Sequence, residues 1–225
     1  MYPTNVQAGP VPSISVNPAS NTTEPLVVHR LGLVPYVPTW HRMREFTLAR
    51  GDASPDELWL LEHPPVYTVG IAGKPEHWPR TDSGIPVVRV DRGGQITYHG
   101  PGQLVAYLLL DMRRRGISVR PLVRNMEQAV INLLSDYGVD AHGRADAPGV
   151  YVGAAKIAAL GLRVKNGCCY HGLALNVDVN LDPFLAINPC GYAGLEVTRM
   201  HDFGITDSKD LIGIRLIQKI RELLQ

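Results

Sequence analysis

From residue 26 onward, apolar positions recur in short runs whose period switches between two and about 3.6 residues. Alternation over 26–33 predicts a first strand. Pro38 stands where a helix can begin, and Trp40, Met43, Phe46 and Thr47 recur at helical spacing over 39–50. The cluster Gly51-Asp52-Ala53-Ser54-Pro55 ends that helix. Apolar runs at 58–62 and 66–70, separated by His63-Pro64-Pro65, read as strand, turn, strand, with His63 simply a turn residue. Residues 71–86 are irregular and contain Pro75, Pro79 and Pro86, which suits either a loop over a site or a surface connection. Strands are expected at 87–90 and 104–110.

The clearest helix spans 120–137. Pro121 opens it, Leu122, Met126, Ala129, Val130, Leu133 and Leu134 form one apolar stripe, and Gly138 closes it. Further strands are expected at 139–142, 150–152, 156–164 and 169–177, with Lys165-Asn166-Gly167 as the hairpin turn between the last two. A terminal helix over 210–224 carries Leu211, Ile214, Ile217, Ile220 and Leu224 on one side. Residues 1–25 are rich in Pro, Ser, Asn and Thr and have no period, so they read as a disordered or loosely attached arm before a domain of 26–225. Hairpins mixed with a few helices predict an α/β fold of the α+β type. It is a single domain with a central mixed, largely antiparallel sheet flanked by helices.

Composition narrows the class. A chain of 225 residues with 45% hydrophobic and 19% charged residues can fold as one ordinary globular domain. A net charge of +1 gives the whole molecule no general attraction for nucleic acid or anionic membrane. Three cysteines, two of them the adjacent Cys168 and Cys169, cannot close a disulfide framework and point to a reducing compartment. The N-terminus has no secretory pattern and no apolar run is long enough to span a bilayer, so the expected address is the cytoplasm.

Candidate chemistry lies in three places. Between two strand-like runs stands Asp91-Arg92-Gly93-Gly94-Gln95-Ile96-Thr97-Tyr98-His99-Gly100-Pro101-Gly102-Gln103. It reads either as a segment approached closely by a ligand or as a glycine-rich hairpin, and it lacks the Gly-Lys-Ser/Thr ending of a phosphate loop. Lys156 sits among small apolar residues, and Cys190 on a Pro-Cys-Gly turn; together they suit a thiolate–ammonium pair. Taken alone, Lys156 could equally be a snorkelling surface residue and Cys190 an inert thiol. Cys168 and Cys169 fall inside an apolar run and read as core. Arg113-Arg114-Arg115 is either a solvated face or a docking patch for an acidic partner. Tyr98-His99-Gly100 and Tyr170-His171-Gly172 put two histidines at equivalent-looking strand positions.

Four segments, 92–103, 156–161, 170–177 (Tyr-His-Gly-Leu-Ala-Leu-Asn-Val) and 188–191 (Asn-Pro-Cys-Gly), together resemble the octanoyltransferases of lipoate biosynthesis. The resemblance runs from about residue 26 to the terminal helix. It implies the fold of biotin and lipoate protein ligases, with a channel for an acyl chain. It further implies transfer of octanoyl from octanoyl-acyl carrier protein to a lysine of lipoyl domains, those of 2-oxoacid dehydrogenase complexes and of the glycine cleavage H protein. By the same carry-over Cys190 is the acyl-thioester nucleophile and Lys156 the group that lowers its pKa. Arg92, Gly93, Gly94, Gln95, Ile96, Thr97, Tyr98, His99, Ala159, Leu160, Gly161, Gly172, Leu173 and Ala174 would line the substrate site. His99 and His171 orient substrates or make structural hydrogen bonds. The visible departures are Ala158-Ala159, where a serine is common in relatives, and the arm.

An activated donor needs neither nucleotide nor other cofactor, and no metal is expected: a zinc site of His99, His171 and Cys190 has no local ligand pair behind it. Three other readings remain. They are an ATP-dependent lipoate or biotin ligase, a Cys-dependent thioesterase, and a module that only binds an acylated partner.

Overall fold

The computed structural model describes residues 26–79, 83–188 and 194–224; the arm of 1–25 and Cys190 lie outside them. In chain order the first elements are β1 (Leu26–Leu33), α1 (Tyr36–Ala49), β2 (Asp56–Glu62), β3 (Val66–Val69), β4 (Val87–Arg89), β5 (Ile96–His99) and β6 (Gln103–Asp111). Then come α2 (Val119–Asp136), β7 (His142–Gly143), β8 (Val150–Val152), β9 (Ala155–Lys165), β10 (Cys168–Asn176), α3 (Asp182–Leu185) and α4 (Lys209–Leu223). Seven strands make a sheet in the order β1-β2-β6-β10-β9-β8-β7, and three make a smaller one, β4-β3-β5. In the large sheet β1 and β2 are parallel and every other neighbour is antiparallel.

Both faces of the central strands are covered, which is why their sequences read as unbroken apolar runs. Leu58, Leu60, Leu104, Leu108 and Leu110 pack with α2 and α4 on one face. Trp59, Leu61, Val105, Tyr107 and Leu109 alternate with them and pack with Met43 of α1 on the other. The six apolar residues expected along α2 are the six it buries, and Gly138 closes it at φ +74°. Asn166 and Gly167, at φ 51° and 77°, make the tight turn between β9 and β10 that the sequence predicts.

Several expectations are corrected. Strands β2 and β3 do not pair across His63-Pro64-Pro65; the chain passes there from the large sheet to the small one. Two successive prolines cannot donate to a ladder, so that stretch suits a crossing better than a hairpin. His63 is therefore more than a turn residue: it is fully buried, with Nδ1 2.7 Å from the Val34 carbonyl and Nε2 2.8 Å from Tyr107 Oη. The glycine-rich stretch is likewise no hairpin, because β5 and β6 belong to different sheets. At Gly102, with φ +90°, a Cβ would lie 2.5 Å from the Asp178 carbonyl oxygen.

Helix α1 starts two residues before Pro38, which the first helical turn tolerates. The buried face of α4 is Ile212, Gly213, Leu216, Ile217 and Ile220, while Leu211 and Ile214 are exposed. The helix presses Gly213 onto Leu60, whose Cδ2 an added Cβ would approach to 2.6 Å, and this rotates the expected stripe. Only Gly143 and His142 pair where 139–142 was expected; Val139 and Ala141 go into the core instead. Two members of the arginine run turn inward. Arg114 and Arg115 join Arg50 on the fully buried carboxylate of Asp56, leaving only Arg113 well exposed. Cys168 and Cys169 are buried, and no described helix is long and apolar enough to cross a membrane.

Candidate active site

One side of the large sheet, beside α1, carries a cavity of about 500 Å³, its open mouth included. Its floor comes from three neighbouring strands, with Ala159, Ala174 and Val105 in one cross-strand row and Gly161, Gly172 and Tyr107 in the next. Its roof is Arg92, Gly94, Gln95, Ile96, Thr97 and His99, and Leu160, Leu173, Tyr36 and His171 complete it. Glycines allow close packing here: a Cβ on Gly161 would stand 3.1 Å from the Gly93 carbonyl oxygen of the roof, and one on Gly172 2.0 Å from that of Ala106 in the neighbouring floor strand. Gly93 donates its N–H to the Leu162 carbonyl at 2.9 Å, pinning the roof onto β9.

Twelve of the fourteen residues expected around substrate line this cavity. Gly93 serves as the pin, and Tyr98 points into the small sheet's core, with its ring 5.6 Å from Tyr67 and 5.4 Å from Phe184. Tyr36, Val105 and Tyr107 were not foreseen. Val105 and Tyr107 fall within an apolar run whose inward and outward faces only the register assigns. Tyr36 lies ahead of the expected helix start.

Polar groups gather at one end. Arg92 is buried; Nη2 donates to the Thr68 carbonyl at 2.7 Å and to Thr68 Oγ1 at 2.8 Å. His99 has Nδ1 2.7 Å from Gln103 Oε1, and burial, with help from His63 and Arg92, lowers its pKa to about 3. Burial likewise lowers His63 to about 4 and raises Tyr36 to about 12. Both histidines are therefore neutral at neutral pH. Although they lie on different sheets, His99 and His171 face the same cavity.

His171 adopts φ +64° within β10, a conformation uncommon outside glycine. Successive strand residues normally point to opposite faces, yet the rings of Tyr170 and His171 stack with centroids 5.0 Å apart. The left-handed residue thus turns its imidazole toward Asp91, whose Oδ1 lies 3.2 Å from Nε2. Asp91 also accepts from Trp40 Nε1 at 2.8 Å and from the Tyr170 hydroxyl. Burial pushes its carboxyl up, but the hydrogen bonds from His171, Tyr170 and Trp40 outweigh that and hold it well below the usual carboxylate range.

Lys156 is buried at the start of β9, beyond the Ala159 row. Its Nζ donates to the Pro148 carbonyl at 3.1 Å and stands 5.1 Å from the Tyr151 ring centre. The pairing of β8 with β9 slips here: Tyr151 faces Lys156 and Val150 faces Ala158, so Ile157 is extra. Ile157 and Ala158 both pack into the core under α2. The bulge thereby puts Lys156 on the face that carries Ala159 and Gly161. Gly149, at φ +152°, passes close by; a Cβ there would lie 2.8 Å from Lys156 Cε.

Cys190 falls outside the described residues, but the segments on both sides of it do not. Asn188 donates its backbone N–H to the His77 carbonyl at 3.2 Å. After Cys190, Glu196 accepts the Lys156 N–H at 2.8 Å and Thr198 donates to the Lys156 carbonyl at 3.0 Å. Of the other thiols, burial pushes Cys169 up to about 12, far from a reactive thiolate. Among the described residues no cluster of His, Cys, Asp and Glu is arranged to hold a metal.

This architecture is shared with solved structures. A putative lipoate protein ligase from T. acidophilum superposes with a TM-score of 0.70 at 21% identity, over 88% of this chain and 85% of that one. The biotin protein ligase of Aquifex aeolicus does so with a TM-score of 0.54 at 12% identity, over 88% of this chain and 68% of that one. At these identities they show the class by fold alone: the chain has the fold found in these lipoate and biotin protein ligases. Residues 35–212 match the model of the lipoyl protein ligase A/B catalytic domain. The octanoyltransferase of Azoarcus sp. (strain BH72) is 62% identical, over 92% of this chain and 91% of its own length. That of Aromatoleum aromaticum is 65% identical, over 90% and 87%. The chain belongs to the lipoyl protein ligase A/B family, among its octanoyltransferases, and is an acyltransferase.

Proposed function

We propose that the protein takes octanoyl from octanoyl-acyl carrier protein and passes it to a lysine of lipoyl domains through a thioester on Cys190, with Lys156 as proton carrier. The observation that carries this reading is the bulge at Ile157, which brings a buried lysine to the cavity face of β9 while Glu196 and Thr198, six and eight residues after Cys190, hydrogen-bond to that lysine's backbone. The Cys190 thiolate attacks the donor carbonyl and the carrier sulfur leaves with a proton from Lys156. The neutral amine of the acceptor lysine then attacks the Cys190 thioester. Lys156 removes a proton from that nitrogen, Cys190 departs as thiolate, and an amide remains.

The cavity supports an aliphatic acyl group. Its apolar wall of Ile96, Val105, Ala159, Leu160, Leu173 and Ala174 suits the seven carbons beyond the carbonyl. At ~0.8 kcal/mol per CH₂, their burial contributes about 5 kcal/mol. The acceptors are the lipoyl domains of 2-oxoacid dehydrogenase complexes and the glycine cleavage H protein, and the setting is the cytoplasm.

The test is to offer a lipoyl domain with either octanoyl-carrier thioester or free octanoate plus ATP. Modification of the lipoyl domain by the thioester alone is expected. Modification only with ATP means a ligase, free octanoate in solution means a thioesterase, and no covalent change with donor means a binding module.

A further inference from the structure

Lys156 and Tyr151 stand opposite one another where β9 pairs with β8, and His142 of β7 is opposite Tyr151 on its other side. Residues directly opposite in antiparallel strands point to the same face. The bulge that turns Lys156 to the cavity side therefore also lays it against this tyrosine. Val150, one residue earlier, goes into the core under α2, as alternation along β8 requires. Tyr151 is fully buried, and Lys156 Nζ lies over its ring, 5.1 Å from the centre.

Another contact of that amine is governed by the same residue. Nζ donates to the Pro148 carbonyl at 3.1 Å. Tyr151 Oη donates to the carbonyl of Ala147, one residue before, at 2.8 Å. Gly149, one residue after, donates its N–H to Glu127 Oε1 of α2 at 2.8 Å. The Pro148 carbonyl is thus tied down on both sides, and one of the ties is the tyrosine hydroxyl. The ring also meets the Arg144 guanidinium at 5.1 Å, whose charge Asp146 takes up at 2.7 Å, and it stacks on His142 with centres 6.2 Å apart.

A lysine is almost never buried without groups that meet its charge. The negative face of an aromatic ring attracts a cation, more strongly where water is excluded. A lysine tip also has many rotamers to lose, and a fixed ring and a fixed carbonyl select among them.

We propose that Tyr151 is a positioning residue of the acyl transfer: its ring face, and through Ala147 its hydroxyl, hold the Lys156 amine where it passes its proton. This rests on the acyl-transfer reading above. Both half-reactions use the hold, because Lys156 begins acylation and ends transfer to the acceptor as the ammonium that the ring attracts.

The experiment follows acylation by octanoyl-carrier thioester in single turnover, with the wild type, Tyr151→Phe and Tyr151→Leu. A further set carries phenylalanine with one, two or three ring fluorines at residue 151; fluorine drains the negative ring face and changes its shape little. Rates are taken per acylated site, so a partly unfolded variant loses amplitude and not rate. Tyr151→Phe keeps the ring and is expected to slow by no more than about fivefold, the scale of one hydrogen bond. Tyr151→Leu should slow by about a further tenfold, the scale of a cation over a desolvated ring. The fluorinated rings should fall stepwise between the two. Half-saturation by donor should not move, since other residues line the acyl cavity.

A fluorine series at the rate of Tyr151→Phe, or Tyr151→Leu no slower than Tyr151→Phe, overturns the role of Tyr151. Should the Phe or Leu variant not fold, ring-fluorinated tyrosines at residue 151 compared with the wild type decide in the same way. Lys156→Ala separates the two levels. Transfer by it at the wild-type rate overturns the part given to Lys156 and this inference with it; a slow Lys156→Ala beside a flat fluorine series overturns the inference alone.

Discussion

Substituting Gly149 by alanine tests whether the placement of Lys156 governs the chemistry. The backbone there has φ +152°, a region essentially reserved for glycine, so any side chain costs on the order of 1–3 kcal/mol. The added Cβ would sit 3.0 Å from the Ala158 carbonyl oxygen, 2.8 Å from Lys156 Cε and 3.0 Å from Nζ. The Ala158 contact is to backbone and yields little; the lysine tip can swing. The expected result is therefore a folded protein, weakened by about 2 kcal/mol, whose ammonium has left the Pro148 carbonyl. Displacing a reacting group by about 1 Å can cost roughly a hundredfold in rate. Denaturant melts would give the stability loss, and rapid-quench kinetics the rates of acylation by octanoyl carrier and of transfer to a lipoyl domain. Both steps should slow by one to two orders of magnitude on that scale. Rates within twofold of wild type in the destabilised variant would refute the link between Lys156 geometry and catalysis.

Other expectations follow from the same structure. Asp56→Asn strips the charge that Arg50, Arg114 and Arg115 converge on, and should cost about 3–5 kcal/mol in denaturant melts while leaving acylation by donor intact in the folded fraction. His63 and His99 are neutral when folded, with pKa values of about 4 and 3, and take up protons near the ordinary value of ~6.5 when unfolded. The unfolded state thus binds more protons, and stability present above that value is lost as pH falls; at pH 5 the pair should cost about 4 kcal/mol, read as a falling Tm. Shortening the donor from octanoyl to hexanoyl removes two CH₂ groups, ~1.6 kcal/mol, and should lower kcat/KM about 15-fold. Cys168→Ala and Cys169→Ala should keep both half-reactions, Cys190→Ala neither, as followed by transfer to a lipoyl domain.

The large sheet and α2 were legible because their signals are local: an apolar stripe ended by Gly138, an Asn-Gly turn, and strands long enough to name. What sequence could not give is pairing between distant segments. The Pro-Pro and Gly-Pro-Gly stretches look like hairpin turns until the register shows that they cross between sheets. The inward turn of Arg114 and Arg115 depends on Asp56, nearly sixty residues earlier, whose burial no local pattern announces. At the site, the residue types and order of the glycine-rich run pointed to a close approach. The bulge that re-aims Lys156 and the left-handed backbone that re-aims His171 break the period-two rule on which a strand reading relies. Tyr36 was hidden for a simpler reason, since the expected helix began after it.

The central claim is that the acyl group rests on Cys190 between donor and acceptor. Mixing the enzyme with octanoyl-carrier thioester, quenching within a turnover and mapping the adduct by peptide mass spectrometry tests it most directly. Octanoyl should appear on Cys190 and disappear at the rate at which a lipoyl domain gains it. Transfer proceeding at full rate with no acyl on Cys190, or with the acyl group on Lys156, would contradict it.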